Sequence, residues 1–404
     1  MNLSGLRDNS PTKAVGACKM QRWPLIVLWV MCVLMVPFAG VKAWAKPMSP
    51  PPVSAKAAEL VDGMSGRVLY AKDANRRLPI ASVTKLMTLY LAVRAIQHKS
   101  LSLHESVPIS EEAYHVNGSQ IWLEPGERLS VDHLLRGVAI GSANDAAYAL
   151  GEYIAGSENA FVEDMNQTAE SLGMKDTHFA NPHGLSDPNH YSSAHDLALL
   201  AEQAIRMPLL LHYTGMWEDR SIRNGKGGTL WLINHNRLLR QFPGMDGLKT
   251  GYTNEAGYCI IATARRLDTR MVAVVLGAPS SRSRFQDAAS LLTYGFQNYH
   301  TIRLARRGQI AARVSVRRGA KRQVLAVYNQ DRYLTVERNE TTPAFIIRVE
   351  SSVNAPVKPG QELGHMALTR ENGQIIRIPI VAQSGVNRAT WIKAAWHYLW
   401  KIAG

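Results

Sequence analysis

What restricts the fold of this chain most is where its strands fall. Residues 58–62 and 67–72 have strand composition and are joined by Gly63-Met64-Ser65-Gly66, so they read as a hairpin. The next such runs, 248–253, 258–266 and 270–276, come only after a long helical stretch. They are separated by Asn254-Glu255-Ala256-Gly257 and Leu267-Asp268-Thr269, turns short enough for an antiparallel meander. Helical patterns fill the interval: one from near Ala81, then 131–140, 145–154 and 160–172. Another is opened by Ser193 as N-cap, with Asp196 three residues on, and runs to Ile205. A last helix covers 283–299. Two strands early, three late and helices between them define an α+β fold whose antiparallel sheet joins strands distant in sequence.

Beyond 301 the pattern changes to short alternating runs at 312–316, 324–327, 334–336, 345–349 and 375–381, punctuated by Gly319, Pro343, Pro359-Gly360 and Asn372-Gly373. This predicts a small all-β domain with few catalytic candidates. The two ends differ from both regions. Lys13, Lys19 and Arg22 precede an apolar run from Trp23 to Val36, and Ala43-Trp44-Ala45 fits a small-x-small cleavage site, so residues 1–45 read as a secretory signal peptide. Residues 46–56 (KPMSPPPVSAK) read as a proline-rich spacer. At helical spacing, Trp391, Ile392, Ala395, Trp396, Leu399 and Ile402 share one face and Lys393, His397 and Lys401 the other. Residues 387–404 therefore read as an amphipathic helix lying in a membrane interface, too short to span it. The expected organisation is leader 1–45, spacer 46–56, a catalytic domain at 57–299, a β-rich domain at 300–386 and the terminal helix.

Charge and cysteine content limit the setting. Without the leader the chain keeps 41 basic and 31 acidic residues, but residues from His300 onward carry 17 and 6, so the positive excess lies in the C-terminal part. On an exported protein that excess suits an anionic membrane surface rather than nucleic acid. Of Cys18, Cys32 and Cys259, only Cys259 lies outside the leader. The exported chain has no internal disulfide, and its core must hold it together.

Chemistry enters at PIASVTKLMTLYL (79–91), where Ser82 and Lys85 stand three residues apart. Such a pair occurs by chance about once in a chain of this length, and Ser10 with Lys13 repeats it in the leader. In a helix beginning at Ala81 the two side chains share a face. A serine hydroxyl needs a base to become a nucleophile. Lysine can serve once burial and a neighbouring cation lower its pKa from about 10.4 toward 7–8. Lys249-Thr250-Gly251, on the first strand of the late meander, supplies such a cation, and Gly251 leaves room for a substrate backbone. Gly141-Ser142-Ala143-Asn144 lies in the connector between two helices. There Ser142 can relay a proton, and Asn144 can bind a carbonyl or orient Lys85. Ser-x-Asn also occurs at Ser157–Asn159 and Ser352–Asn354, so order and context carry the weight. His183, His190, His195 and His235 lack metal-ligand spacing and read as loop and capping residues, and Cys259 as core.

The order Ser-x-x-Lys, Ser-x-Asn, Lys-Thr-Gly resembles the penicillin-recognising serine hydrolases. ASVTKLMT (81–88), GSANDAA (141–147), FVEDMNQTAESLGM (161–174), NPHGL (181–185), YSSAHDLALLA (191–201) and DGLKTGYT (246–253) narrow this to the low-molecular-mass penicillin-binding proteins of the serine-type D-Ala-D-Ala carboxypeptidase family. The resemblance covers roughly 57–299. Ala143 stands where many of these carboxypeptidases carry glycine. It implies a β-lactamase/transpeptidase-like sheet flanked by helices, with Ser82 as nucleophile and Lys85 as base. It also implies an oxyanion hole from the backbone N–H groups of Ser82 and Tyr252, and a substrate carboxylate held by Lys249 and Thr250. Arg284 either assists that carboxylate or is a surface arginine. Peptidoglycan stem peptides are the implied substrates, β-lactams the implied inhibitors, and no cofactor or metal is called for. A small β domain and an amphipathic terminal helix on the outer face of the cytoplasmic membrane also belong to the pattern. A D,D-endopeptidase, a β-lactamase and a catalytically idle cell-wall-binding scaffold are the competing readings.

Overall fold

A computed structural model describes residues 48–389 except 224–227, 341–343 and 370–374. The expected leader lies outside the described residues, as does the expected terminal helix apart from its first three residues.

The central sheet has five strands: β1 (Ala57–Asp62), β2 (Val68–Lys72), β3 (Met245–Thr253), β4 (Gly257–Arg266) and β5 (Thr269–Ala278). Their spatial order is β2-β1-β5-β4-β3, antiparallel throughout. The early hairpin joins the late meander through β1 and β5, with Ala57 opposite Leu276 and Asp62 opposite Met271. Successive side chains of a strand face opposite sides, and β5 shows the consequence. Val272, Val274 and Leu276 enter the core beneath the helical layer, while Met271, Ala273 and Val275 enter a second core. With both faces covered, β5 is buried along its whole length, which explains its unbroken apolar run.

The helical layer is built around α1 (Lys85–Gln97), whose residues 85–93 are all buried. Around it lie α2 (Val131–Ala139), α3 (Asn144–Ala155), α4 (Glu158–Ser171), α5 (Ala194–Ala204) and α6 (Pro208–Gly215). Ser193 caps α5 by accepting the Asp196 N–H at 3.1 Å. The Asp196 carboxylate does not close a reciprocal capping box; it takes the Asp176 N–H and the Thr177 hydroxyl instead, both at 2.7 Å. The opposite face of the sheet carries α7 (Ser281–Asn298). The segment read as a spacer does pack. Val53 and Ala55 are buried, and one oxygen of Asp287 accepts the Ser54 N–H and hydroxyl and the Ala55 N–H at 2.8–3.1 Å. Proline-rich composition hid this because the partner carboxylate lies on a distant helix.

The all-β domain begins as α7 ends. Its first strand, β6 (Tyr299–Ala305), pairs with β9 (Arg332–Glu337). A six-stranded sheet follows, formed by β7 (Ile310–Arg317), β8 (Gln323–Tyr328), β10 (Phe345–Val349), β11 (Ser352–Asn354), β12 (Glu362–Thr369) and β13 (Ile375–Ala382) in the order β10-β12-β13-β8-β7-β11. It encloses its own core around Val314, Ala326, Leu363 and Ile380. The fully buried Asp62, at the end of β1, joins the two regions. One of its oxygens accepts the hydroxyls of Thr301 (2.6 Å) and Thr335 (2.7 Å); the other accepts the Met64 and Ser65 N–H groups of the hairpin turn.

Candidate active site

Ser82 lies in a tight single turn, Ala81–Thr84, that runs directly into α1, so the regular helix starts at Lys85 rather than Ala81. Ala81 has φ +49°, a left-handed conformation that disfavours an L-residue by about 1–2 kcal/mol. Its neighbours hold it there. The Thr84 hydroxyl donates to the Ala81 carbonyl at 2.8 Å, and His190 Nε2 lies 2.6 Å from the same hydroxyl. His190 Nδ1 accepts the Ala180 N–H at 3.1 Å, which leaves the ring proton on Nε2 to be donated to Thr84. Two glycines close on the turn from either side. A Cβ at Gly184 would stand 2.1 Å from the Ala81 carbonyl oxygen, and one at Gly251 would stand 2.9 Å from Ile80 O and Ser82 N. Ser82 is thus presented on a turn clamped between the 181–192 loop and β3.

Lys85 is fully buried at the centre of the site. Its Nζ lies 2.5 Å from Asn144 Oδ1, 2.6 Å from the His183 carbonyl and 2.9 Å from Ser82 Oγ. A neutral amine has two N–H donors and one lone pair. Asn144 and His183 offer only acceptors and take both donors, so the lone pair faces the Ser82 hydroxyl. Burial holds the Lys85 pKa well below the ordinary lysine range, and the positive charge of Lys249 adds to the effect. Asn144 is held in turn: its Nδ2 donates to Asn117 O at 2.5 Å and its backbone N–H to Ser119 O. Beside it, buried Asp145 accepts the Ile121 and Leu123 N–H groups and fixes that loop.

Ser142 and Lys249 face each other across the cleft. Lys249 Nζ donates to Ser142 Oγ at 2.9 Å and to the Thr250 carbonyl at 2.8 Å. Ser142 is buried at φ +59°, a bend that turns the connector between α2 and α3 toward β3. Burial, reinforced by Arg284, pushes Lys249 down to about 7. Thr250 is buried; Tyr252, at the exposed end of β3, stacks on Tyr258 with ring centroids 4.3 Å apart. Arg284 is not on the surface. It is 6 % exposed, and its Nη1 donates to the carbonyls of Gly251 (3.2 Å) and Cys259 (3.4 Å), which are paired partners of β3 and β4. It grips the strand behind the cleft.

All three motifs therefore converge on one cleft, with Ser82, Lys85, Ser142, Asn144, Lys249, Thr250 and Gly251 in it. The sequence did not disclose the supports: the His183 carbonyl, the His190–Thr84–Ala81 chain, Asn117 and Gly184. Backbone acceptors leave no side-chain signature, and His190 lies far along the chain from Thr84. His183 and His190 are buried parts of this assembly, pushed by burial to about 3 and about 4 and so neutral, rather than loop decoration. His195 instead lies 3.1 Å from Glu59. Cys259 is in the core. Among the described residues no group of His, Cys, Asp and Glu is placed to hold a metal ion.

Comparison with known proteins places this geometry. The family model for D-alanyl-D-alanine carboxypeptidase matches residues 44–280, and that for the penicillin-binding protein 5 C-terminal domain matches 299–388. The D-alanyl-D-alanine carboxypeptidase DacF of Bacillus subtilis (strain 168) is 36 % identical over 369 residues, 91 % of this chain and 95 % of that protein. Crystallised penicillin-binding protein 5 of Haemophilus influenzae superposes with TM-score 0.73 at 30 % identity, covering 84 % of this chain and all of that one. Penicillin-binding protein D2 of Listeria monocytogenes, solved in an ampicillin-bound form, superposes with TM-score 0.54 at 34 % identity, covering 61 % of this chain and 100 % of that one. The chain belongs to the D-alanyl-D-alanine carboxypeptidase family of serine peptidases, the low-molecular-mass penicillin-binding proteins.

Proposed function

We propose that the protein removes the terminal D-alanine from peptidoglycan stem peptides through an acyl-enzyme on Ser82. The observation that carries this reading is the placement of buried Lys85, whose Nζ lies 2.9 Å from Ser82 Oγ and whose other two contacts, Asn144 Oδ1 and the His183 carbonyl, are acceptors, so that the unprotonated amine directs its lone pair at Ser82 Oγ. Ser82 attacks the carbonyl between the two D-alanines while its proton passes to Lys85. The backbone N–H groups of Ser82 and Tyr252 receive the developing oxyanion. Lys249 and Thr250 hold the free carboxylate, and Ser142, whose oxygen already accepts from Lys249, passes a proton to the departing amine. Asn144 sets the orientation of Lys85 and so acts as a positioning residue. Arg284 positions β3 through the Gly251 carbonyl. Ser142 recovers its proton from Lys85, and water then releases the shortened peptide with the freed Lys85 amine again as base. A β-lactam enters the same sequence and acylates Ser82; the ampicillin-bound Listeria relative supports this.

The setting follows from the ends of the chain. The 1–45 leader directs export, and the tryptophan-lysine segment at 387–404, with the basic excess beside it, holds the enzyme peripherally on the outer face of the cytoplasmic membrane. No helix of the described residues is long and apolar enough to cross a membrane. Deleting 387–404 should shift the protein from the membrane fraction to the soluble one; unchanged pelleting contradicts the anchor.

Activity is tested by D-alanine release from diacetyl-Lys-D-Ala-D-Ala, with Ser82→Ala alongside. Many turnovers per chain, lost in the variant and with penicillin, support the carboxypeptidase. One event per chain points to an idle scaffold. Release from a cross-linked peptide alone points to an endopeptidase.

A further inference from the structure

On the face of the sheet that carries α7, a cavity of about 610 Å³ opens between the first turns of α7 and the short helix Leu238–Gln241. Its lining includes the buried Leu238, Phe242 and Phe285, and the exposed Arg237 and Arg282 flank it. The surface around it is basic well beyond that pair. Residues 220–245 hold Arg220, Arg223, Lys226, Arg237 and Arg240 and no acidic residue, although 46–299 as a whole carry 24 basic and 25 acidic residues. Arg265 and Arg266, exposed at the end of β4, extend the same surface. Arg266 lies over the rings of Phe242 and Phe296 at 5.0 and 4.4 Å, Arg240 over Trp217 at 4.5 Å and Arg220 over Trp231 at 4.2 Å. The carboxylates nearest in sequence are engaged elsewhere: Glu218 accepts from Trp231 Nε1, Asp219 pairs with Arg136, and Asp246 with Arg270. Among the described residues none of these exposed arginines is ion-paired.

Guanidiniums gathered without counter-charge repel one another, and an anion that docks among them relieves the repulsion. Stacking on aromatic rings holds Arg220, Arg240 and Arg266 in place, so they lose little side-chain freedom on binding. The layout indicates the shape of the anion. Arg237 and Arg282 flank the cavity, Arg240 stands on the helix that walls it, and Arg266 lies over the Phe242 ring that lines it. The charges are thus spread along a surface with apolar ground between them rather than converging on one point. That suits a flexible chain with one anion per repeat, whose uncharged spacer lies over Phe242 and Phe285. The guanidiniums also cover ring faces of Trp217, Trp231 and Phe242 on which the sugars of an acidic polysaccharide or the bases of a nucleic acid would stack. A phosphodiester-linked polyol chain needs only the charges, which a guanidinium fork matches directly.

We propose that this surface binds a phosphodiester-linked polyol chain and so docks the enzyme on an anionic polymer of the cell envelope. The site goes beyond the hydrolytic reading and is independent of it, since Ser82 takes no part. The test measures binding of the full-length protein to end-labelled poly(glycerol phosphate) by fluorescence anisotropy at low salt. Arg237→Gln/Arg240→Gln/Arg266→Gln/Arg282→Gln should weaken binding about thirtyfold, as four exposed ion pairs in the middle of their usual range supply. The difference should shrink as salt rises. The same number of exposed charges removed from the β domain, in Arg306→Gln/Arg307→Gln/Arg313→Gln/Lys321→Gln, should change binding by less than about threefold. Labelling by a fluorescent penicillin shows that each variant is folded. If the first quadruple variant does not label, the cavity pair alone, Arg237→Gln/Arg282→Gln, carries the test with an expected loss of about fivefold. Equal losses in the two quadruple variants, or tighter binding of polygalacturonate than of the phosphate chain, overturns the site. Substitutions that release the protein from phosphatidylglycerol vesicles but leave polymer binding intact overturn it as well, by assigning the arginines to the membrane.

Discussion

Replacing Asn144 with aspartate tests how Lys85 is kept able to take a proton. The substitution puts a carboxylate oxygen where Asn144 Oδ1 stands, 2.5 Å from Lys85 Nζ in a buried site. At an effective dielectric near 20, an ammonium and a carboxylate at that distance attract by about 6–7 kcal/mol. That equals at most about five pKa units at 1.36 kcal/mol per unit. Desolvation of the buried pair offsets a large part of this, leaving a rise of about two to three units. Lys85 works only when unprotonated, so acylation increases as pH rises through its pKa. Raising that pKa moves the acid limb toward alkaline pH and slows acylation at pH 7, by at most about 10²- to 10³-fold. The assay is single-turnover acylation by a fluorescent penicillin from pH 5.5 to 10, normalised to the protein that is finally labelled. Asn144→Ala is the control. It removes the acceptor without adding charge, so it should slow acylation with no alkaline displacement of the limb. An Asn144→Asp protein with the wild-type rate and an unshifted limb would refute the assignment of Lys85 as base.

Other consequences can be checked independently. Lys249 has a folded-state pKa of about 7, below the ordinary 10.5, so between these values the unfolded chain binds a proton that the folded one lacks. Lys249 should therefore contribute about 2–3 kcal/mol to a rise in stability to urea from pH 7 to 9, beside the like-signed contribution of Lys85, and Lys249→Met should reduce that slope; equal slopes contradict it. Asp62→Ala leaves two threonine hydroxyls and two turn N–H groups without their acceptor, and should cost about 3–5 kcal/mol in urea unfolding. A loss under about 1 kcal/mol would show that Asp62 does not join the two regions. His190→Leu removes the donor to Thr84 and should slow penicillin acylation about tenfold through misplacement of Ser82, with His190→Gln restoring most of the rate. Equal rates for the leucine and glutamine variants, normalised to labelled protein, would mean that His190 only fills space.

The parts of this protein that were legible in its sequence are those in which local spacing dictates geometry. Ser82 and Lys85 meet because three residues of a turn and helix put them on one face. Lys249 and Gly251 share a strand, and Ser142 and Asn144 share a connector. The decoys separate for the same kind of reason. Ser157 accepts the Ala160 N–H as the N-cap of α4, and Ser352 lies in a short strand of the β domain. What stayed hidden depends on groups brought together only by the fold. Asp287 reaches back to Ser54, His190 to Thr84 and Arg284 to the Gly251 carbonyl. Proline composition made 48–56 look unpacked because no local pattern announces a carboxylate more than two hundred residues away. Arg284 was ambiguous because its partners are backbone carbonyls, which every residue carries.

The central claim is that a D-Ala-D-Ala peptide is cleaved through an ester on Ser82. The most direct measurement quenches the protein in acid during steady-state hydrolysis of the peptide and maps the adduct by mass spectrometry. The account predicts a mass increase equal to the peptide minus D-alanine, confined to the fragment containing Ser82 and absent from Ser82→Ala, which should release no D-alanine. An adduct on another residue, or continued release by Ser82→Ala, would contradict it.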